Sequence, residues 1–176
     1  NTTAIGHYSK IWKCYEKNIH YISGSNAMAI KIKEILKNET LLQNSVFVFD
    51  FDRTITNGLL ENHEKNLDNL VRGGNDNIQA LLALQKKQIP MCILTARQAT
   101  IEDLTNVKKE LKDIDELSGK TVSQSFFDQT SENNITQENG FKLAKSGNIY
   151  SCGYHKGKTM EILMKNYPAK KKVLFF

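Results

Sequence analysis

The chain has 176 residues, a formal net charge of +5 and 40% hydrophobic residues, with a pI near 9.0. That length suits one α/β domain with modest insertions, the apolar content suffices for a core, and no apolar run reaches membrane-spanning length. The lysines are scattered and form no module with the aromatics, which argues against a nucleic-acid binder. Cys14, Cys92 and Cys152 fit no zinc or disulfide framework and favour a reducing compartment such as the cytoplasm. The chain opens at Asn1 rather than Met, which leaves room for an upstream segment such as a cleaved signal peptide.

Residues 1–44 read as an N-terminal helical region. Tyr8, Ile11, Trp12, Tyr15 and Ile19 recur at helical spacing, as in a short amphipathic helix packed on the domain. A second helix is expected from Ser25, capped by Ser25 or Asn26, with Met28, Ile32, Ile35 and Leu36 on its apolar face. Asn38 and Asn44 flank the connection that follows.

The stretch Val46-Phe47-Val48-Phe49 then reads as a buried strand, β-branched and aromatic throughout. It runs into Asp50 and Asp52, spaced two apart within residues 45–58. Extended geometry carried that far points both carboxylates to one side. Like charges repel, so such a pair needs a reason to persist, and a hard cation such as Mg²⁺ supplies one. The plain alternative is a turn, since Asp accepts bonds from nearby backbone N–H groups. Ligands of open α/β sheets bind beyond the carboxyl ends of strands, where this pair lies.

Residues 59–76 are polar, with Arg72-Gly73-Gly74 as a breaker, and suit a small flap or lid. His63 lies there and reads as an exposed loop histidine. A helix follows over residues 77–88, with Ile78, Leu81 and Leu82 on one face and Pro90 as its stop. The next strand, Met91-Cys92-Ile93-Leu94, ends in Thr95-Ala96-Arg97, and Cys92 reads as a small core residue. Thr100 can cap a helix whose stripe is Ile101, Leu104, Val107, Leu111 and Ile114. Residues 117–154 are expected to form an extended loop and a hairpin turning at Ser146-Gly147-Asn148, with Phe126-Phe127 and Phe141-Lys142-Leu143 as short strands. A last helix after Lys156-Gly157-Lys158 buries Met160, Leu163, Met164 and Tyr167 and ends at Pro168. The closing run Val173-Leu174-Phe175-Phe176 reads as another strand.

Val48-Phe49-Asp50-Phe51-Asp52-Arg53-Thr54-Ile55 resembles motif I of the haloacid dehalogenase superfamily, a hydrophobic strand followed by Asp-x-Asp-x-Thr and an aliphatic residue. Arg53 is bulkier than the residues common at its position. Thr95 after the second strand resembles motif II, and Lys156 before Gly157 resembles motif III, with Lys158 as the fallback. The resemblance covers roughly residues 45–176. It implies an α/β fold with a Rossmann-like core, a central mainly parallel sheet flanked by helices, and a minimal cap made of the flap and the hairpin insertion. A similar order occurs in a bacterial branch of acid-phosphatase-like members. One or two further acids are expected beyond Phe176, where the core would continue.

What the resemblance implies chemically is a Mg²⁺-dependent phosphatase. Asp50 is the nucleophile, Asp52 the general acid and base, and Thr95 and Lys156 hold the phosphoryl group. Asp50 binds the metal through its carboxylate and Asp52 mainly through its main-chain carbonyl. Arg97 either adds charge near the phosphate or pairs with an acid. The second Asp argues for phosphoester hydrolysis, on a phosphorylated small molecule or a phosphoprotein. Two alternatives stand: a protein of the same fold that binds without turnover, and a receiver-like phosphoacceptor domain. The receiver reading needs its acidic pair and its acceptor on different strands, whereas here both acids follow one.

Overall fold

A computed structural model describes residues 23–58 and 65–176. The aromatic periodicity of residues 8–19, Cys14 and His63 lie outside the described residues. The strands are β1 (Ser45–Phe49), β2 (Met91–Thr95), β3 (Asn134–Glu138), β4 (Phe141–Ser146), β5 (Ile149–Ser151) and β6 (Lys172–Phe175). The helices are α1 (Ala27–Ile35), α2 (Glu39–Gln43), α3 (Leu67–Leu70), α4 (Gly74–Lys86), α5 (Ile101–Ser118) and α6 (Lys156–Lys165). A 3₁₀ turn spans Val122–Ser125. The strands form one mixed six-stranded sheet in the order β3-β4-β5-β2-β1-β6. The pairings of β5 with β2, β2 with β1 and β1 with β6 are parallel, and those along β3-β4-β5 are antiparallel. No helix among the described residues is long and apolar enough to cross a membrane.

β1 has strands on both sides and is buried along its whole length. Its side chains alternate between two cores, as the period of a strand requires. Phe47 and Phe49, with Met91 and Ile93 of β2, meet the apolar stripes of α1, α4 and α5. Val46 and Val48, with Cys92 and Leu94, meet Leu163 of α6 and its partly buried neighbours Met160, Met164 and Tyr167. Both layers follow from helical periodicity. Met28, Ile32 and Ile35 are buried on α1, and Leu104, Val107, Leu111 and Ile114 on α5. Ile101, expected in that stripe, is exposed at the first turn of α5. The Thr100 hydroxyl accepts from the Asp103 N–H at 3.1 Å and caps the helix.

Three local features differ from the expectations. Helix α4 starts at Gly74, a turn earlier than predicted, because Gly73 adopts a left-handed φ of 71° and ends the preceding turn. A Cβ at Gly73 would lie 2.5 Å from the Ser25 carbonyl and 2.7 Å from Asn77 Nδ2, so only glycine lets α1 approach α4. Phe126 and Phe127 form no strand. Phe126 follows the 3₁₀ turn and packs edge-on against Phe49 at 6.5 Å, so burial of its ring sets its conformation. The hairpin at 146–149 is present, and β5 enters the main sheet beside β2. The segment before it adds the exposed edge strand β3.

Asn77 fastens α4 to α1. Its Oδ1 accepts from the Ala29 N–H at 3.0 Å, and its Nδ2 donates to the carbonyls of Ser25, at 3.2 Å, and Arg72. Asn77→Ala removes these bonds and leaves the buried Ala29 N–H without its partner, which should lower unfolding free energy by about 2 kcal/mol in urea titration. Cys92 and Cys152 are free and buried. Burial pushes the Cys92 thiol up to about 11, outweighing the hydrogen bond with Tyr167, and also raises Cys152. Both should resist iodoacetamide at mildly alkaline pH in the native protein and react in urea, as mass spectrometry will read out.

Candidate functional site

The carboxyl ends of β1, β2 and β5 converge beside the start of α6. Beyond Phe49 the chain leaves extended geometry: the Ile55 and Thr56 N–H groups both donate to the Phe51 carbonyl at 3.0 Å. Asp50 and Asp52 therefore meet different partners instead of presenting a common row. Arg53, between them and Thr54, takes a left-handed φ of 62°, uncommon for a side chain of its size.

Asp50 stays in line with the sheet, its N–H donating to the Phe176 carbonyl at 2.8 Å. Its Oδ1 accepts from the Phe51 N–H at 2.9 Å, and its Oδ2 lies 2.8 Å from Lys156 Nζ. The Lys156 side chain is 8% exposed and that of Asp50 31%, so a buried ammonium faces a carboxylate that solvent still reaches. Lys156 is the first residue of α6, and its Nζ also lies 5.6 Å from the centroid of the Phe175 ring. Lys158, the alternative, instead lies over the Phe141 ring at 4.4 Å.

Asp52 is held by Arg97. Arg97 Nη2 donates to Asp52 Oδ1 at 2.7 Å and Nε to Oδ2 at 3.0 Å, a two-pronged contact. The other edge of the guanidinium faces Glu110 on α5, with Nη1 at 2.7 Å from Oε1 and Nη2 at 3.1 Å from Oε2. The Phe51 ring lies 5.0 Å from the guanidinium carbon. Burial acts to lower the Arg97 pKa, but the hydrogen bonds and charges of Asp52 and Glu110 outweigh it and hold the value above its ordinary level.

The Thr95 hydroxyl lies 3.5 Å from Asp52 Oδ2 and accepts from the Arg97 N–H at 3.2 Å. The loop carrying Thr95 and Arg97 is tied to the one that leads into α6. Cys152 N–H donates to the Thr95 carbonyl at 3.2 Å and Gly153 N–H to the Arg97 carbonyl at 2.9 Å. The Ser151 hydroxyl reaches the Arg97 and Gln98 carbonyls at 2.9 and 2.8 Å. One network thus places Arg97 and the start of Lys156's helix together.

All four residues singled out from the sequence, Asp50, Asp52, Thr95 and Lys156, gather here. Glu110 was not anticipated. It lies three residues after Val107 and four before Ile114, both buried, so an acid at the margin of an otherwise apolar helix face was the available signal.

Among the described residues no three His, Cys, Asp or Glu side chains are grouped to hold a metal. The donors that do occur at the strand end, the Asp50 carboxylate and the Asp52 main-chain carbonyl, are oxygens of the kind Mg²⁺ prefers. Among the described residues each Asp50 oxygen has one polar partner, which leaves it lone-pair capacity for a cation. In kind, then, the donors fit the ion.

No family model, curated protein or solved structure matches this chain.

Arg97→Met leaves Asp52 and Glu110 facing each other without their shared cation. With Glu110 only 18% exposed, the loss in unfolding free energy should be about 3 kcal/mol in urea titration.

Proposed function

We propose that this chain is a phosphomonoester hydrolase of the haloacid dehalogenase type, with Asp50 as the nucleophile. The observation that carries the reading is the division of labour between the two acids. Asp50 faces a buried ammonium and solvent, while Asp52, two residues on, is set beside Thr95 by a guanidinium. Both stand at the carboxyl end of a central strand flanked by parallel neighbours, where open α/β sheets bind ligands. The helix-flanked α/β sheet and the resemblance of residues 48–55 to motif I support the same reading.

In this mechanism an Asp50 carboxylate oxygen attacks phosphorus, and the bond from phosphorus to the ester oxygen breaks. Asp52, which takes up a proton from solvent as its carboxylate leaves Arg97, passes that proton to the departing oxygen, releasing an alcohol and leaving an aspartyl-phosphate. Water then attacks phosphorus, giving its proton to Asp52, and Asp50 leaves as a carboxylate with inorganic phosphate released. Lys156 and the Thr95 hydroxyl meet the phosphoryl oxygens and offset their developing charge. The Asp50 carboxylate and the Asp52 main-chain carbonyl would hold Mg²⁺, which would supply charge neutralisation when bound. The substrate is a phosphorylated small molecule or a phosphoprotein side chain.

A second reading, a protein of this fold that binds without turnover, is favoured by one observation: both Asp52 oxygens are engaged by Arg97. Phosphate release from a panel of phosphoesters, with and without Mg²⁺, separates the two. Mg²⁺-dependent turnover that falls to background in Asp50→Asn, with its fold intact by circular dichroism, supports the hydrolase. Folded protein silent across the panel supports the binding protein, and full activity in Asp50→Asn removes Asp50 as the nucleophile.

A further inference from the structure

Arg97 grips the acid that has to move. Both oxygens of Asp52 accept from the guanidinium, at 2.7 and 3.0 Å, so its carboxyl group cannot turn toward a leaving oxygen without letting go. Letting go would strand a guanidinium whose side chain is only 11% exposed, and an unpaired buried charge is strongly disfavoured. The opposite edge of the same guanidinium is already held by Glu110, at 2.7 and 3.1 Å. The two carboxylates differ in mobility. Asp52 sits in a turn with its side chain 34% exposed, whereas Glu110 is fixed on α5 beside a fully buried stripe.

We propose that Glu110 is a positioning residue that keeps Arg97 paired when Asp52 releases it to serve the substrate. This rests on the hydrolase reading and deepens it. Arg97 Nη2 contacts both acids, and the Phe51 ring backs the guanidinium, so release of Asp52 leaves Arg97 in place. Glu110 touches no reacting atom. It lowers the cost of freeing Asp52, an effect that in the first step matters only where the departing oxygen needs a proton.

The leaving group supplies the test. An alkyl phosphate departs as a strongly basic alkoxide and depends on proton donation; p-nitrophenyl phosphate departs as a stabilised phenolate and depends on it little. In Glu110→Gln, kcat/KM for the alkyl ester, which reports the steps up to departure of the alcohol, should fall about tenfold, while kcat/KM for the aryl ester stays within about twofold. The ratio of the two kcat/KM values is read within one preparation, so partial unfolding cancels. Replacing the guanidinium as well, in Arg97→Met/Glu110→Gln, removes the grip on Asp52 and should bring the ratio back toward that of the native protein. If Glu110→Gln yields no folded protein, Glu110→Asp, which withdraws the carboxylate by one methylene, reads out the same ratio. A ratio unchanged in the single variant, or still depressed in the double, overturns the proposal. Asp50-dependent turnover with an unchanged ratio overturns it alone; a native chain inactive on both esters removes the hydrolase reading with it.

Discussion

Two carboxylates two residues apart at the end of one buried strand repel each other, and the fold supplies each with its own cation. Asp50 receives Lys156 from α6, and Asp52 receives Arg97 from the loop after β2. Neither cation can be delivered locally. Lys156 requires the hairpin of β4 and β5 to return the chain to the sheet, and Arg97 requires β2 to run parallel beside β1. The hydrogen bonds from Ser151, Cys152 and Gly153 to the loop at 95–98 close the circuit. Packing and electrostatics are coupled as a result, since a shift of β5 against β2 displaces Lys156 relative to Arg97.

The aromatic packing beneath the site sets how firmly that arrangement is held. Phe47 and Phe49 stack with Phe176 at 5.9 and 5.3 Å, and Phe126 closes the edge of Phe49. Offset ring pairs add stability beyond their buried area. The same residues fix register: Phe176 accepts from the Asp50 N–H and donates its own N–H to the Val48 carbonyl at 2.9 Å. The nucleophile of the proposed reaction is thus anchored on a strand pair whose side chains interlock one layer below.

Much of the framework was legible in the sequence because it depends on short periodicities. The buried run of β1, the apolar strand before Thr95 and the stripe of α5 each announce themselves within a few residues. The gathering of Asp50, Asp52, Thr95 and Lys156 was legible through motif order. What the sequence hid depends on partners far away along the chain. Asp52 and Asp50 part company because a turn begins at Phe51, which no alternation pattern reports. Helix α4 starts early because Gly73 must admit the Ser25 carbonyl, a contact between residues 48 apart. The Phe126-Phe127 pair has strand composition, yet core volume beside Phe49 decides its conformation. Glu110 was hidden because a single acid at the margin of a helix stripe reads as solvated surface until the guanidinium opposite it is known.

The charge balance of the cluster bears on what it can bind. Asp50, Asp52 and Glu110 are set against Lys156 and Arg97, leaving formally one surplus negative charge where a phosphate dianion is to arrive. Partial burial strengthens that repulsion relative to open water. Arg97 offers little relief, since its donors already face two carboxylates. Lys156 is paired as well, so binding a phosphoryl group means sharing its ammonium with Asp50. A divalent cation on the Asp50 carboxylate would reverse the sign of the cluster and free part of the ammonium's field for the phosphoryl oxygens. On the proposed hydrolase reading, Mg²⁺ would therefore favour substrate entry as well as chemistry, and phosphate affinity and metal affinity would be thermodynamically linked.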